Sequence, residues 1–225
     1  MFRLSSNDVC SFLKALASGF RSIDSFNTSL AIRRIMKVVA LNGSPRLLGN
    51  TSNALNVILD ELNKEGIETE YIQIYEDHMN PCNHCSSCEM RGDGRCVAED
   101  DNMNTYFDKM KAADGVILAS PTYFGSCTAQ LKMFLERAGF ACMFDKTKPL
   151  RGKIGAAMVI QERSGGNAVY SELVNWMLMN EMTVVGSSPL CIINAKNPFD
   201  YEKDEKGMKA LKSVARNMIS ELEKR

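Results

Sequence analysis

The chain carries no surplus of charge: lysine and arginine total 27, aspartate and glutamate total 27, and the formal net charge is zero. That balance offers no electrostatic footing to nucleic acid or to an anionic membrane, and neither is expected as a partner. No apolar run approaches the ~18 residues of a transmembrane helix, and no internal repeat or low-complexity tract is present. The dinucleotide fingerprint Gly-x-Gly-x-x-Gly is missing. Histidine is confined to His78 and His84, and no Ser/His/Asp or paired-carboxylate constellation stands out, so no catalytic side chain is named. Cysteine is plentiful, but four of the eight crowd between Cys82 and Cys96, while Cys10, Cys127, Cys142 and Cys191 are scattered. Crowding of that kind fits metal ligation in a reducing compartment better than a secreted disulfide scaffold, so a cytoplasmic location is expected.

What the sequence does contain is organised around Lys37–Ser52. Val38 to Leu41 is a wholly apolar run, as expected of a strand buried on both faces of a parallel sheet. It stops at Asn42-Gly43, and a helical pattern begins just past Asn50. The loop between them has two glycines, hydroxyls close to the helix start and one arginine. Free backbone N–H groups and the positive end of the helix dipole favour an anion at such a place. Gly43 and Gly49 enclose five residues and no Lys-Ser or Lys-Thr follows, which excludes a Walker A loop. The terminal monoester of a mononucleotide suits the loop. Ser44, Asn50, Thr51 and Ser52 would donate neutral hydrogen bonds and Arg46, the one cation, a charge-assisted one. The competing reading is an ordinary strand–turn–helix with a good N-cap.

With 225 residues, 45% apolar and 24% charged, the chain suffices for one well-buried domain. Apolar spacing predicts a helix from Thr51 to near Gly66, a strand over Ile67–Ile74 and a helix over Asp101–Lys111. A buried strand at Gly115–Ser120 and a helix over Ser126–Arg137 follow. Then come a strand at Ile154–Ile160, a helix from about Ala168 to Asn180 and a last strand at Met182–Val185. Asp204 is placed to cap a terminal helix. Strands alternating with helices at this spacing mean a doubly wound parallel α/β sheet. Ligands of such sheets bind beyond the carboxyl ends of the strands, where three loops are expected: Gly43–Ser52, Ser120–Ser126 and Gln161–Gly166. In the second, Tyr123 and Phe124 could flank a planar ring while Gly125 lets backbone approach closely. The third offers Arg163 and the backbone donors of Gly165-Gly166. Core packing is the alternative for Tyr123 and Phe124.

Cys82, Cys85 and Cys88 form two overlapping Cys-x-x-Cys steps, and Cys96 follows after seven residues and a turn containing Gly92 and Gly94. Structural zinc usually takes two separated pairs, whereas a run of three is the ferredoxin style for a 4Fe–4S cube. Zinc and a metal-free, redox-active thiol loop are the alternatives. His84 reads as a loop residue, and the scattered cysteines as small buried hydrophobes.

Three of these segments resemble a known family. Asn-Gly-Ser-Pro-Arg…Gly-Asn-Thr resembles the FMN phosphate loop of the flavodoxin-like NAD(P)H-dependent FMN reductases. Ser120-Pro-Thr-Tyr-Phe-Gly-Ser126 leading to Gln130-Leu-Lys132 resembles their second flavin loop, and the four-cysteine segment is similar to that of their iron–sulfur flavoprotein branch. The resemblance implies a five-stranded sheet of order 2-1-3-4-5 in three α/β/α layers, with FMN and a 4Fe–4S cluster as cofactors. The three loops would then contact the phosphate, the isoalloxazine and its pyrimidine edge, adding Pro121 and Thr122 to the residues above. Electrons would come from ferredoxin or NAD(P)H and pass to a small acceptor such as a quinone, peroxide or O₂. Two alternatives remain: an NAD(P)H-dependent FMN or quinone reductase without a cluster, and a flavin-binding regulatory module without turnover. The resemblance further implies a homodimer or homotetramer, with the Phe124 loop and Trp176-Met-Leu-Met179 as contact candidates. It also makes Met36 a natural start, so residues 1–35, with an amphipathic pattern at Val9, Phe12, Leu13, Leu16 and Phe20, read as an extension. Residues 36–225 would be the FMN-binding domain, with the cysteine motif 82–96 inserted.

Overall fold

A computed structural model describes residues 34–225 apart from Asp77 and Glu99; the expected helix near the N-terminus and nearly all of the extension lie outside the described residues. The strands and helices alternate as the apolar runs require. Strand β1 is Lys37–Asn42, β2 Glu68–Gln73, β3 Gly115–Pro121, β4 Ile154–Gln161, β5 Thr183–Val184 and β6 Ile192–Asn194. Helices are α1 (Asn50–Lys64), α2 (Ser87–Arg91), α3 (Met103–Ala112), α4 (Ala129–Phe144), α5 (Gly166–Met179) and α6 (Glu205–Leu222).

All strand pairs are parallel, in the order β2-β1-β3-β4-β5, with β6 also on β4. The expected order 2-1-3-4-5 is therefore present. Its interior strands are apolar along their middles because helices cover both faces: Val38–Leu41, Val116–Ala119 and Ala156–Val159 are fully buried. The fifth position differs from the single strand expected at 182–185. It is shared by β5, which pairs with Ile154 and Gly155, and β6, which pairs with Val159–Gln161. Between them the chain leaves the sheet through Pro189, which has no N–H to give a ladder.

Leu55, Ile58, Leu59 and Leu62 form the buried stripe of α1, which packs beside Leu211, Val214, Met218 and Leu222 of α6. As expected, Asp204 caps α6, accepting from the Gly207 N–H at 2.9 Å. Helix α4 begins later than expected because Tyr123 and Ser126 are used in a small antiparallel bridge. It continues past Arg137 to Phe144, burying Ala138, Ala141 and Cys142. Gly139 sits within it because a Cβ there would come 3.0 Å from the Trp176 indole nitrogen. That indole donates to the Leu135 carbonyl at 2.7 Å, so Trp176 and the buried Met177 pack α5 onto the core, while Leu178 and Met179 are exposed. No helix among the described residues is long and apolar enough to cross a membrane.

Candidate functional site

The loop after β1 is built from its neighbours. Asn42, buried at the end of β1, accepts the Ser44 N–H at 2.9 Å and donates to Gln73 Oε1 at 2.9 Å. Gln73 in turn donates to the Ser44 carbonyl, and Thr128 Oγ1 donates to the Gly43 carbonyl at 2.6 Å. Gly43 is required there, since a Cβ would lie 2.8 Å from Leu131 Cβ at the start of α4. The Arg46 N–H donates to Ser44 Oγ at 3.2 Å, and Ser52 Oγ donates to the Gly49 carbonyl at 2.9 Å. Gly49 is the cap residue of α1 and offers no side-chain cap. The N–H groups of Asn50, Thr51 and Ser52 therefore have no acceptor within the helix and point out of its start.

The other strand ends converge on this loop. Thr122 N–H donates to the Ile160 carbonyl at 2.7 Å, and the Gly166 N–H donates to Gln161 Oε1 at 2.8 Å. Gly165, at φ 89°, is pressed against the second loop: a Cβ would lie 3.0 Å from Thr122 Cγ2 and 3.4 Å from Gly125 Cα. Together the strand ends enclose a cavity of about 160 Å³. Of the residues expected to bind the cofactor, Ser44, Arg46, Asn50, Thr51, Pro121, Thr122 and Tyr123 line it. Ser52 is buried behind it, Gly125 and Gly165 form the loop contact beside it, and Phe124 and Arg163 are exposed outside it. Asn50 Oδ1 and Thr122 Oγ1 are both buried on the cavity and have no hydrogen-bond partner among the described residues. Unpaired buried polar atoms are costly, and a polar ligand would satisfy them.

Sequence reasoning missed a fourth strand end. Lys196, following β6, lines the same cavity, so Arg46 is not its one cation. Lys196 is ion-paired with Glu162 at 2.8 Å, which holds the Glu162 carboxyl below its ordinary range. The clue was available in the run Cys191-Ile-Ile ending at Asn194, an apolar stretch stopping in polar residues like that of β1.

A second, larger cavity of about 470 Å³ is lined by Cys82, Cys85, Cys88 and Cys96 together with Arg137, Phe140 and Phe144 of α4. The tight cysteine loop needs left-handed backbone at His84 (φ 54°) and Ser86 (φ 58°), and again at Gly92 and Gly94. A Cβ on Gly94 would collide with Asp145 Oδ2 at 2.1 Å. Burial raises the Cys88 thiol above its ordinary value, and so do Cys96 and Cys82, which are its electrostatic neighbours. Hydrogen bonding to Ser87 lowers the Cys85 thiol. Asn104 brackets the Cys96 backbone, accepting its N–H at 3.0 Å and donating to its carbonyl at 2.9 Å. Among the described residues no three His, Cys, Asp or Glu groups converge on the point a single metal ion would occupy; the four cysteines line one cavity. His84 packs edge-on against Phe140, with ring centroids 5.8 Å apart. Cys127, Cys142 and Cys191 are buried away from this cavity, and burial pushes the Cys127 and Cys191 thiols up to about 12.

Residues 36–196 match the family model of the NADPH-dependent FMN reductases. The chain is 35% identical over 195 residues to an iron–sulfur flavoprotein of Methanocaldococcus jannaschii, covering 81% of this chain and 95% of the relative. It is 33% identical over 190 residues to an iron–sulfur flavoprotein of Methanosarcina thermophila, covering 84% and 96%. Among solved structures, an NAD(P)H:quinone oxidoreductase from Methanothermobacter marburgensis is similar with a TM-score of 0.61 at 14% identity, over 82% of this chain and 96% of that one. A flavodoxin from the domain Archaea is similar with a TM-score of 0.55 at 16% identity, over 84% and 99%. At such identities the two structures speak for the fold alone.

Proposed function

Given that the chain belongs to the NADPH-dependent FMN reductase family, in its iron–sulfur flavoprotein branch, and is an FMN-dependent oxidoreductase, we propose that its crowded cysteines hold a 4Fe–4S cluster and that it transfers electrons between a donor and a small acceptor. The observation that carries this reading is the meeting of Cys82, Cys85, Cys88 and Cys96 around one cavity, apart from the cavity at the strand ends. An all-thiol donor set suits an iron–sulfur cluster.

The strand-end residues suit FMN. Ser44, Arg46 and the N–H groups of Asn50, Thr51 and Ser52 would hold the phosphate. Asn50 Oδ1 and Thr122 Oγ1 offer unsatisfied polar atoms to the rest of the molecule. Pro121–Gly125, Arg163 and Gly165 would border the ring. Bound FMN supplies one- and two-electron chemistry and a 4Fe–4S cluster one-electron chemistry, while the protein sets position and electrostatics. NAD(P)H is the donor that the family description supports, and ferredoxin is the donor that a one-electron cluster suits. A quinone, peroxide or O₂ is the proposed acceptor. A homodimer or homotetramer is the proposed assembly, with the exposed Phe124 as one contact. Thiol crowding supports a reducing, cytoplasmic setting.

The test is an absorption spectrum with iron and sulfide counts on anaerobically purified protein. About four irons and four sulfides per FMN are expected. Zinc, or no metal, would leave an NAD(P)H-dependent flavin reductase without a cluster.

A further inference from the structure

The cysteine cavity contains one feature that neither cofactor chemistry nor the motif accounts for. Arg137, in the middle of α4, is only 3% exposed. Its guanidinium uses every edge. Nε donates to Cys96 Sγ at 3.4 Å, Nη1 to the Asn80 carbonyl at 3.2 Å and to Asp101, and Nη2 to the Ala98 carbonyl at 2.8 Å. Asp101 is equally buried, and its carboxylate also accepts the N–H groups of Met103 at 3.1 Å and Asn80 at 3.3 Å. Asn80 precedes the first cysteine and Ala98 follows the last, so a single side chain holds both ends of the cysteine segment.

Resting on the cluster reading above, we infer that Arg137 is a positioning residue which presents Cys96 as the fourth thiolate and, through its Nε–H to Sγ hydrogen bond, makes the cluster easier to reduce. Cys96 needs such help because seven residues separate it from Cys88, too many for the loop alone to fix its sulfur. The electrostatic direction follows from charge. Reduction adds one electron and no proton to the cluster and its thiolates. A donor already aimed at one of those sulfurs stabilises the extra charge, and hydrogen bonds to sulfur are among the factors that set cluster potentials. Arginine stays protonated throughout. Asp101 offsets the guanidinium charge, so its removal should act in the opposite direction.

The experiment uses full-length protein purified anaerobically: wild type, Arg137→Lys, Arg137→Gln and Asp101→Asn. FMN content reports folding, iron and sulfide report the cluster, and titration with dithionite as one-electron donor reports the reduction equilibrium. Arg137→Gln should shift that equilibrium about tenfold towards the oxidised cluster, about 59 mV for a one-electron couple. Arg137→Lys should move it the same way, since a lysine lacks the planar fork. Asp101→Asn should move it towards the reduced cluster, and the FMN potential should stay unchanged in all three.

A purely structural clamp predicts instead that Asp101→Asn and Arg137→Gln change together in the same direction; that result, or unchanged potentials, overturns the inference. If both Arg137 variants lose the cluster but keep FMN, the Asp101→Asn potential decides: raised supports the inference, while lowered, unchanged or cluster-free protein overturns it. Wild-type protein without iron and sulfide removes the cluster reading itself and this inference with it, a failure separate from a wild-type cluster whose potential ignores Arg137.

Discussion

Asn50 Nδ2 donates a 2.8 Å hydrogen bond to the carbonyl oxygen of Asn197, tying the first residue of α1 to the segment that follows β6. The bond fixes the amide so that its other atom, Oδ1, is buried on the strand-end cavity without a partner. Replacing Asn50 with Asp removes the donor and puts a negative charge beside the proposed phosphate. Asn50→Asp should weaken FMN binding by about 1.5–3 kcal/mol, roughly 10- to 150-fold. Titration of apoprotein with FMN checks it; unchanged affinity would mean that FMN does not reach the start of α1.

Arg46 differs from Lys196 in that its guanidinium has no ion pair among the described residues, whereas Lys196 is engaged with Glu162 at 2.8 Å. Arg46→Ala should therefore cost about 1.5–3 kcal/mol of FMN binding, and Lys196→Ala less. Ser44→Ala should cost about 0.5–1.5 kcal/mol, because its Oγ also accepts the Arg46 N–H and shapes the loop. Equal losses for Arg46→Ala and Lys196→Ala would contradict this ranking.

Removal of one thiolate separates the two proposed cofactors. Cys82→Ala, Cys85→Ala or Cys88→Ala should abolish or greatly reduce the broad iron–sulfur absorption while the FMN bands remain, because the two cavities share no lining residue. Cys96→Ala should leave a labile cluster or one lacking an iron. Cys127→Ala and Cys142→Ala, whose thiols are buried elsewhere, should keep the wild-type iron content. Iron loss in those two controls would count against the ligand assignment.

Asp204 joins the cap of α6 to the end of β6: one oxygen accepts the Gly207 N–H, and the other accepts the Asn194 N–H at 2.8 Å and its Nδ2 at 2.9 Å. Asp204→Ala should lower stability by about 1–2 kcal/mol in urea unfolding. Burial opposes its charge, yet the bonds from Asn194 and Gly207 hold its carboxyl below the ordinary 3.8. A depressed folded value means the contribution is complete above the unfolded pKa, ~3.9, and is lost as pH falls through the folded one. The gap between wild type and Asp204→Ala should thus be constant from pH 5 to 7 and narrow below pH 4. A gap that widens in acid would contradict the assignment.

The apolar runs Val38–Leu41, Gly115–Ser120 and Ile154–Ile160 were sufficient in themselves to place the three interior strands, because a strand covered on both faces is apolar along nearly its whole length. The loop after β1 was legible for a similar reason: a strand stopping at Asn42-Gly43 before a helix leaves N–H groups that only a short list of ligands can use. The spacing of Cys82, Cys85 and Cys88 anticipated that they would line one cavity. What depended on distant contacts was not legible. The fifth strand position is divided between β5 and β6 because β4 is long enough to pair with both, and a two-residue and a three-residue strand carry almost no periodicity. Lys196 joined the site only through that pairing. Arg137 read as the end of a helix; its place against Cys96 and Asp101, 41 and 36 residues away in sequence, is set by how α4 packs against the cysteine segment. Local patterns encode what a residue's immediate neighbours require, whereas a buried ion pair across the fold exists only once packing has excluded water from both partners.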